Sequence, residues 1–82
     1  MVNDEPDTNG ADQVLPRLKT LRIGARLSIN KLASEAGVSR DLVSSLERNH
    51  AHTLLKVQAV FDTLKKYHPD LDAKKEIRRL KA

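Results

Sequence analysis

Apolar positions in this chain recur at intervals of three and four, the spacing that gathers them on one face of an α-helix. Leu15, Leu18, Arg22 and Ala25 share one side of a first helix, with Leu21 beside it. Its start is expected between Gln13 and Pro16, since the N–H groups of a first turn lack intrahelical partners and proline is tolerated there. Ser28 is placed to cap a second helix, with Leu27 and Leu32 as a hydrophobic staple. Gly37 stops that helix after Ala36, because glycine takes positive φ at no steric cost. Ser39 caps a third helix with Val38 and Val43 as its staple, and Asn49 ends it just after Arg48. Thr53 opens a fourth helix, with Leu54, Val57, Phe61 and Leu64 on one side and Pro69 beyond its end. A fifth is expected from Asp70 to Ala82, carrying Ala73, Ile77 and Leu80 on a strip so narrow that it needs a surface to lie on.

The pattern therefore predicts an all-α protein of five helices. Residues 1–12 are polar, contain Pro6 and Gly10 and show no period, and so are expected to be a disordered tail. Residues 13–68 form the expected domain, and 69–82 a C-terminal helical extension. Composition agrees: glycine and proline are scarce, and Phe61 and Tyr67 are the only aromatics. The absence of cysteine excludes disulfides and thiolate metal sites. The apolar runs are too short for a membrane span, and Met-Val-Asn-Asp-Glu lacks the features of a secretory signal, so a cytoplasmic location is expected.

Charge changes the picture more. Residues 1–12 carry Asp4, Glu5, Asp7 and Asp12 and no basic residue, a charge of −4; the whole chain is +4, which leaves +8 on residues 13–82. A basic body behind an acidic segment points to a polyanionic partner, although a soluble basic surface gives the same count.

The span from Ser28 to Asn49 reads as helix, tight turn, helix. Ala33 is small where the third helix crosses at close range, and Gly37 sets the steep angle between the two helices. Val38, Val43 and Leu46 anchor the third helix, leaving its other face free to enter a major groove. Leu42 either covers the core edge or touches a thymine methyl group, and the core is favoured.

Residues 15–65 resemble the XRE family of helix-turn-helix proteins, the phage repressors and Cro proteins. The matching run is Leu18, Leu21-Arg22, Leu27-Ser28, Leu32-Ala33, Ala36-Gly37-Val38-Ser39-Arg40, Val43-Ser44 and Leu46-Glu47-Arg48-Asn49. Asn49 departs from the glycine usual there, and the loop Asn49-His50-Ala51-His52 lacks the usual proline. The resemblance implies a lambda-repressor-like fold, a largely buried Arg22–Glu47 pair, and base contacts from Ser39, Arg40, Ser44 and Ser45. Arg40 is the strongest choice, since a guanidinium can donate twice to guanine. Asp41 accepts from cytosine, orients Arg40, or simply favours the helix dipole. Phosphate contacts are expected from the N-terminus of the second helix (Ser28, Ile29, Asn30, Lys31), from Arg48 and from His50. His50 and His52 alone are weak evidence for metal, and a phosphate-facing or solvated loop is expected instead; if either ring faces phosphate, binding should tighten as pH falls through roughly 6.5. No metal or other cofactor is expected.

No catalytic constellation can be assembled, so an enzyme is not expected. Nor is a small-molecule ligand, since no sensing domain is present. The expected function is a transcriptional regulator, most often a repressor, of the kind the resemblance associates with phages and mobile elements. One unit reads too few base pairs for genomic specificity, so a homodimer on a palindromic site in double-stranded DNA is expected. Phe61, Leu64, Leu71, Ile77 and Leu80 are the expected dimer contacts, the alternative being that the last helix folds back on its own core. The alternative is an antitoxin or antiactivator whose main partner is another protein.

Overall fold

A computed structural model describes residues 11–80. The expected disorder of the segment before Ala11 lies outside the described residues. Eight elements follow in order: β1 (Ala11–Val14), α1 (Leu18–Gly24), α2 (Ile29–Ala36), α3 (Arg40–Glu47), β2 (His52–Thr53), α4 (Leu54–Tyr67), α5 (Ala73–Glu76) and β3 (Arg78–Arg79). The helix-turn-helix forms through local chemistry. The Ser28 hydroxyl accepts from the Lys31 N–H at 3.0 Å, and the Ser39 hydroxyl from the Leu42 N–H at 3.1 Å. Between them Gly37 sits at φ 72°, and a Cβ there would meet nothing within 4 Å. Glycine is required for backbone conformation, not for space. Asn49 reverses the chain after α3 at φ 64°, the left-handed conformation asparagine tolerates best among residues with a side chain.

α2 packs against α3 and α4 around one core. Leu18, Leu32, Val43, Leu46, Val57, Val60 and Leu64 are wholly enclosed, and Phe61 is 2% exposed. Ala33 is buried where α2 and α3 meet. Among the described residues, no helix is long and apolar enough to cross a membrane.

The all-α expectation is corrected by a three-stranded antiparallel sheet in the order β2-β1-β3. Ala11 pairs with Thr53 and Gln13 with His52, with a register irregularity between them; Gln13 and Val14 pair with Arg79 and Arg78. Asp12 and Gln13 thus belong to a strand, not to a tail and a first helical turn. Proline disfavours helical backbone in the residue before it, so Pro16 holds Leu15 out of the helix, and α1 begins at Leu18.

The fifth helix is a single turn. Asp72 caps it by accepting from the Lys74 N–H, but Ile77 is extended, at ψ 123°, and leads straight into β3. The unpaired edge of β1 captures Arg78 and Arg79, and the Leu80 N–H donates to the Asp12 carbonyl at 2.7 Å. Long-range pairing overrides local helix preference here.

The expected dimer contacts are corrected with it. Phe61, Leu64 and Leu71 lie in the protomer's own core and Ile77 is partly buried against it, so the last segment folds back on its own core and Leu80, half exposed, is the most accessible of the five. Residues 71–80 complete the domain instead of extending from it. Among the described residues, the large apolar side chains that do face outward are Ile23, Leu54, Leu55, Tyr67 and Leu80.

Candidate nucleic-acid interface

The site is built on α3. Leu42, Val43 and Leu46 are buried and fix the helix to the core, with Val38 packed partly against it. Arg22 and Glu47 brace the helix from behind. Arg22 Nε donates to Glu47 Oε2 at 2.5 Å and its Nη2 reaches Oε1 at 3.4 Å, while Nη1 donates to the Leu27 carbonyl at 2.8 Å. Both side chains are nearly buried, 13% and 9% exposed.

The outward face holds the expected base-reading residues in two groups. Ser39, Arg40 and Asp41 are exposed at the start of α3. Ser44 and Ser45 are only half exposed, and both hydroxyls have partners: Ser44 Oγ accepts from Arg48 at 3.2 Å, while Ser45 Oγ donates to the Leu42 carbonyl at 3.1 Å. Ser45 Oγ also lies 2.5 Å from His52 Nε2.

The expected phosphate contacts fall in two places. Arg48 is exposed at the end of α3 and His50 in the loop that follows. Ser28, Asn30 and Lys31 are exposed at the N-terminus of α2, where Ile29 is half-buried against the core and can offer its N–H but little side chain. Lys31 also pairs with Glu35 at 3.7 Å, and Glu35 accepts from the Tyr67 hydroxyl.

An open depression on the flank of α3 brings together Ser39, Asp41, Ser45 and Arg48 with His52 and Lys56, over a floor that includes Leu42. The α2 group does not line it. Lys56 is absent from the site expected from sequence, and of the two loop histidines that could face phosphate it is His52, not His50, that lines the depression. The missed signal was the turn at Asn49, which returns the chain to α3 and sets His52 against Ser45. Partial burial, then the charges of Lys56 and His50, hold the His52 ring below its ordinary pKa of 6.5. Among the described residues, no group of three or more His, Cys, Asp or Glu could hold a metal ion.

No family model matches the chain, and no curated protein or solved structure matches it.

Proposed function

We propose that this chain is a sequence-specific double-stranded DNA-binding regulator of transcription, in which α3 enters the major groove. The observation that carries this is the two-sidedness of α3. Leu42, Val43 and Leu46 are sunk in the core, while Ser39, Arg40, Asp41 and Arg48 stand in solvent. A short helix fixed along one side, with a polar and cationic outer face, is the geometry that inserts into a groove about 12 Å wide. The XRE resemblance of residues 15–65 and the positive charge of residues 13–82 support the same reading. An acidic or apolar outer face would favour a protein partner, and Arg40 and Arg48 argue against that.

In this reading the regulator acts by occupancy, blocking or assisting polymerase at an operator, and binds as a homodimer on a palindrome. Selection of bound sites from random duplexes tests both parts. The expected result is one short motif repeated in inverted orientation about one helical turn apart, roughly 10 base pairs. Recovery of no motif above background would overturn the function, and a single unrepeated half-site would overturn the dimer.

A further inference from the structure

Three side chains able to carry positive charge come together beside α3 from three different places. Arg48 follows the C-terminal end of α3, His52 stands on β2, and Lys56 lies in the first turn of α4. They line the same depression as the hydroxyls of Ser39 and Ser45. Clustered N–H donors of this kind suit a tetrahedral oxyanion. A helix seated in the major groove also has phosphates along its flanks, and most protein–DNA hydrogen bonds go to that backbone.

We propose that this depression seats one phosphate of the DNA duplex, held by Arg48, His52 and Lys56, and that Ser45 is a positioning residue for His52, not a reader of bases. The proposal rests on the DNA-binding reading above and deepens it.

The hydrogen-bond bookkeeping at Ser45 carries the second half. Its one proton can go to the Leu42 carbonyl or to His52 Nε2, but a protonated ring fixes the pattern: Nε2–H donates to Ser45 Oγ, and the hydroxyl donates to the Leu42 carbonyl. Nδ1–H of the protonated ring is then the donor left for an anion. Lys56 already takes part in an interaction in the free protein, to which the phosphate is added or for which it is exchanged.

Proton uptake and phosphate binding are thereby coupled. The charged groups facing His52 are Lys56 on α4, His50 in the loop, and Arg48 and Asp41 across the depression, while its neighbour across the sheet, Gln13, is neutral. The cations oppose protonation of the ring, and a bound phosphate offsets them. Asp41 is the one carboxylate lining the depression and works against the anion. Affinity for DNA therefore rises as pH falls through the His52 titration, and levels off once the ring is protonated in the free protein.

The test follows the His52 ring resonances of the full chain by NMR between pH 5 and 8, at fixed ionic strength. The probes are sodium sulfate, whose charge is constant over this range, a random-sequence duplex, and sodium chloride as control. Sulfate and duplex should both raise the midpoint of the His52 titration, the duplex more. Ser45→Ala should weaken cognate and random duplexes alike, by roughly three- to tenfold, and flatten the pH dependence of binding. Ser45→Thr, which keeps the hydroxyl, should restore both, and circular dichroism should show both variants folded. A His52 midpoint unmoved by duplex DNA would overturn the proposal. So would a Ser45→Ala loss confined to one base position. A midpoint that answers to sulfate while no duplex binds at all would leave an oxyanion seat and overturn its DNA source, together with the function on which it rests.

Discussion

Glu47 places a carboxylate in a nearly buried position at the last residue of α3, the end where the helix dipole disfavours negative charge. Arg22 makes this tolerable, and in doing so also satisfies the Leu27 carbonyl. Removing one partner of such a pair leaves an uncompensated charge. Arg22→Met is expected to cost about 3 kcal/mol, enough to unfold much of a domain this small, and Arg22→Met with Glu47→Leu should recover most of it. Urea denaturation of the three chains checks this; equal stability of single and double variants would show that Glu47 is not left as a costly unpaired charge when Arg22 is removed. Arg40 makes a different prediction. Its substitution by alanine should relax preference at one base pair of the selected site, by about 1–3 kcal/mol of discrimination, while Lys31→Ala weakens every duplex to a similar degree. Competition binding with single-base variants separates the two, and equal losses on cognate and random DNA for Arg40→Ala would remove it from base readout. At this scale the sequence was most informative where chemistry is local. Ser28, Ser39, Gly37 and Asn49 each act within a few residues of themselves, and each adopts a conformation that its residue type favours or readily tolerates. The Ser45–His52 contact was not legible, because it depends on the path of a whole loop.

Among the elements, the helix-turn-helix was legible because two caps, a glycine and a helical period agree over Ser28 to Asn49. The sheet was not. β1 has four residues with a single buried side chain, Val14, and its partners lie far along the chain, so no local alternation announces it. The shortness of α5 was equally hidden, because what ends it is the edge of β1 and not any residue of its own. α5 is instead held by an ion pair to the residue just before α1: Arg17 Nη2 donates to Glu76 Oε2 at 2.7 Å and Nε to Oε1 at 2.9 Å. The Arg17 hydrogen bonds, helped by its charge and that of Arg78, lower the Glu76 pKa from 4.5 against the opposing effects of burial and Asp72. A carboxylate more acidic in the folded than in the unfolded chain adds stability above its unfolded pKa, and that stability fades as pH falls through the folded value. Wild type should therefore melt modestly higher than Glu76→Gln at pH 7, and the gap should narrow at pH 3.5. A gap independent of pH would point to packing and not charge. Arg17 is more than half exposed, so solvent screening keeps the effect small.

For the molecule as a whole, the sheet ties the region before α1 to the region after α4. A chain ending at Tyr67 would lose buried Leu71, the Arg17–Glu76 pair and all of β3, and would bare one side of β1. It is expected to melt at a markedly lower temperature than the full chain, by calorimetry, at any protein concentration. Unchanged stability would show that residues 68–80 are an appendage. Charge acts at this scale too. If each protomer of the proposed dimer neutralises about 4 phosphates, the logarithm of affinity should fall with that of salt concentration at a slope near −7. A slope near −3.6 in a binding titration would mean that only one protomer engages the backbone.

The order of the strands also has a consequence for synthesis. β1 is the middle strand, yet it leaves the ribosome before any other described element, and the strand that covers its far side leaves last. The nascent chain can assemble its helices and pair β1 with β2 while one row of β1 amides and carbonyls still waits on water. Closure comes only when Arg78 and Arg79 emerge, so a premature stop between α4 and β3 releases a product with an open, adhesive edge.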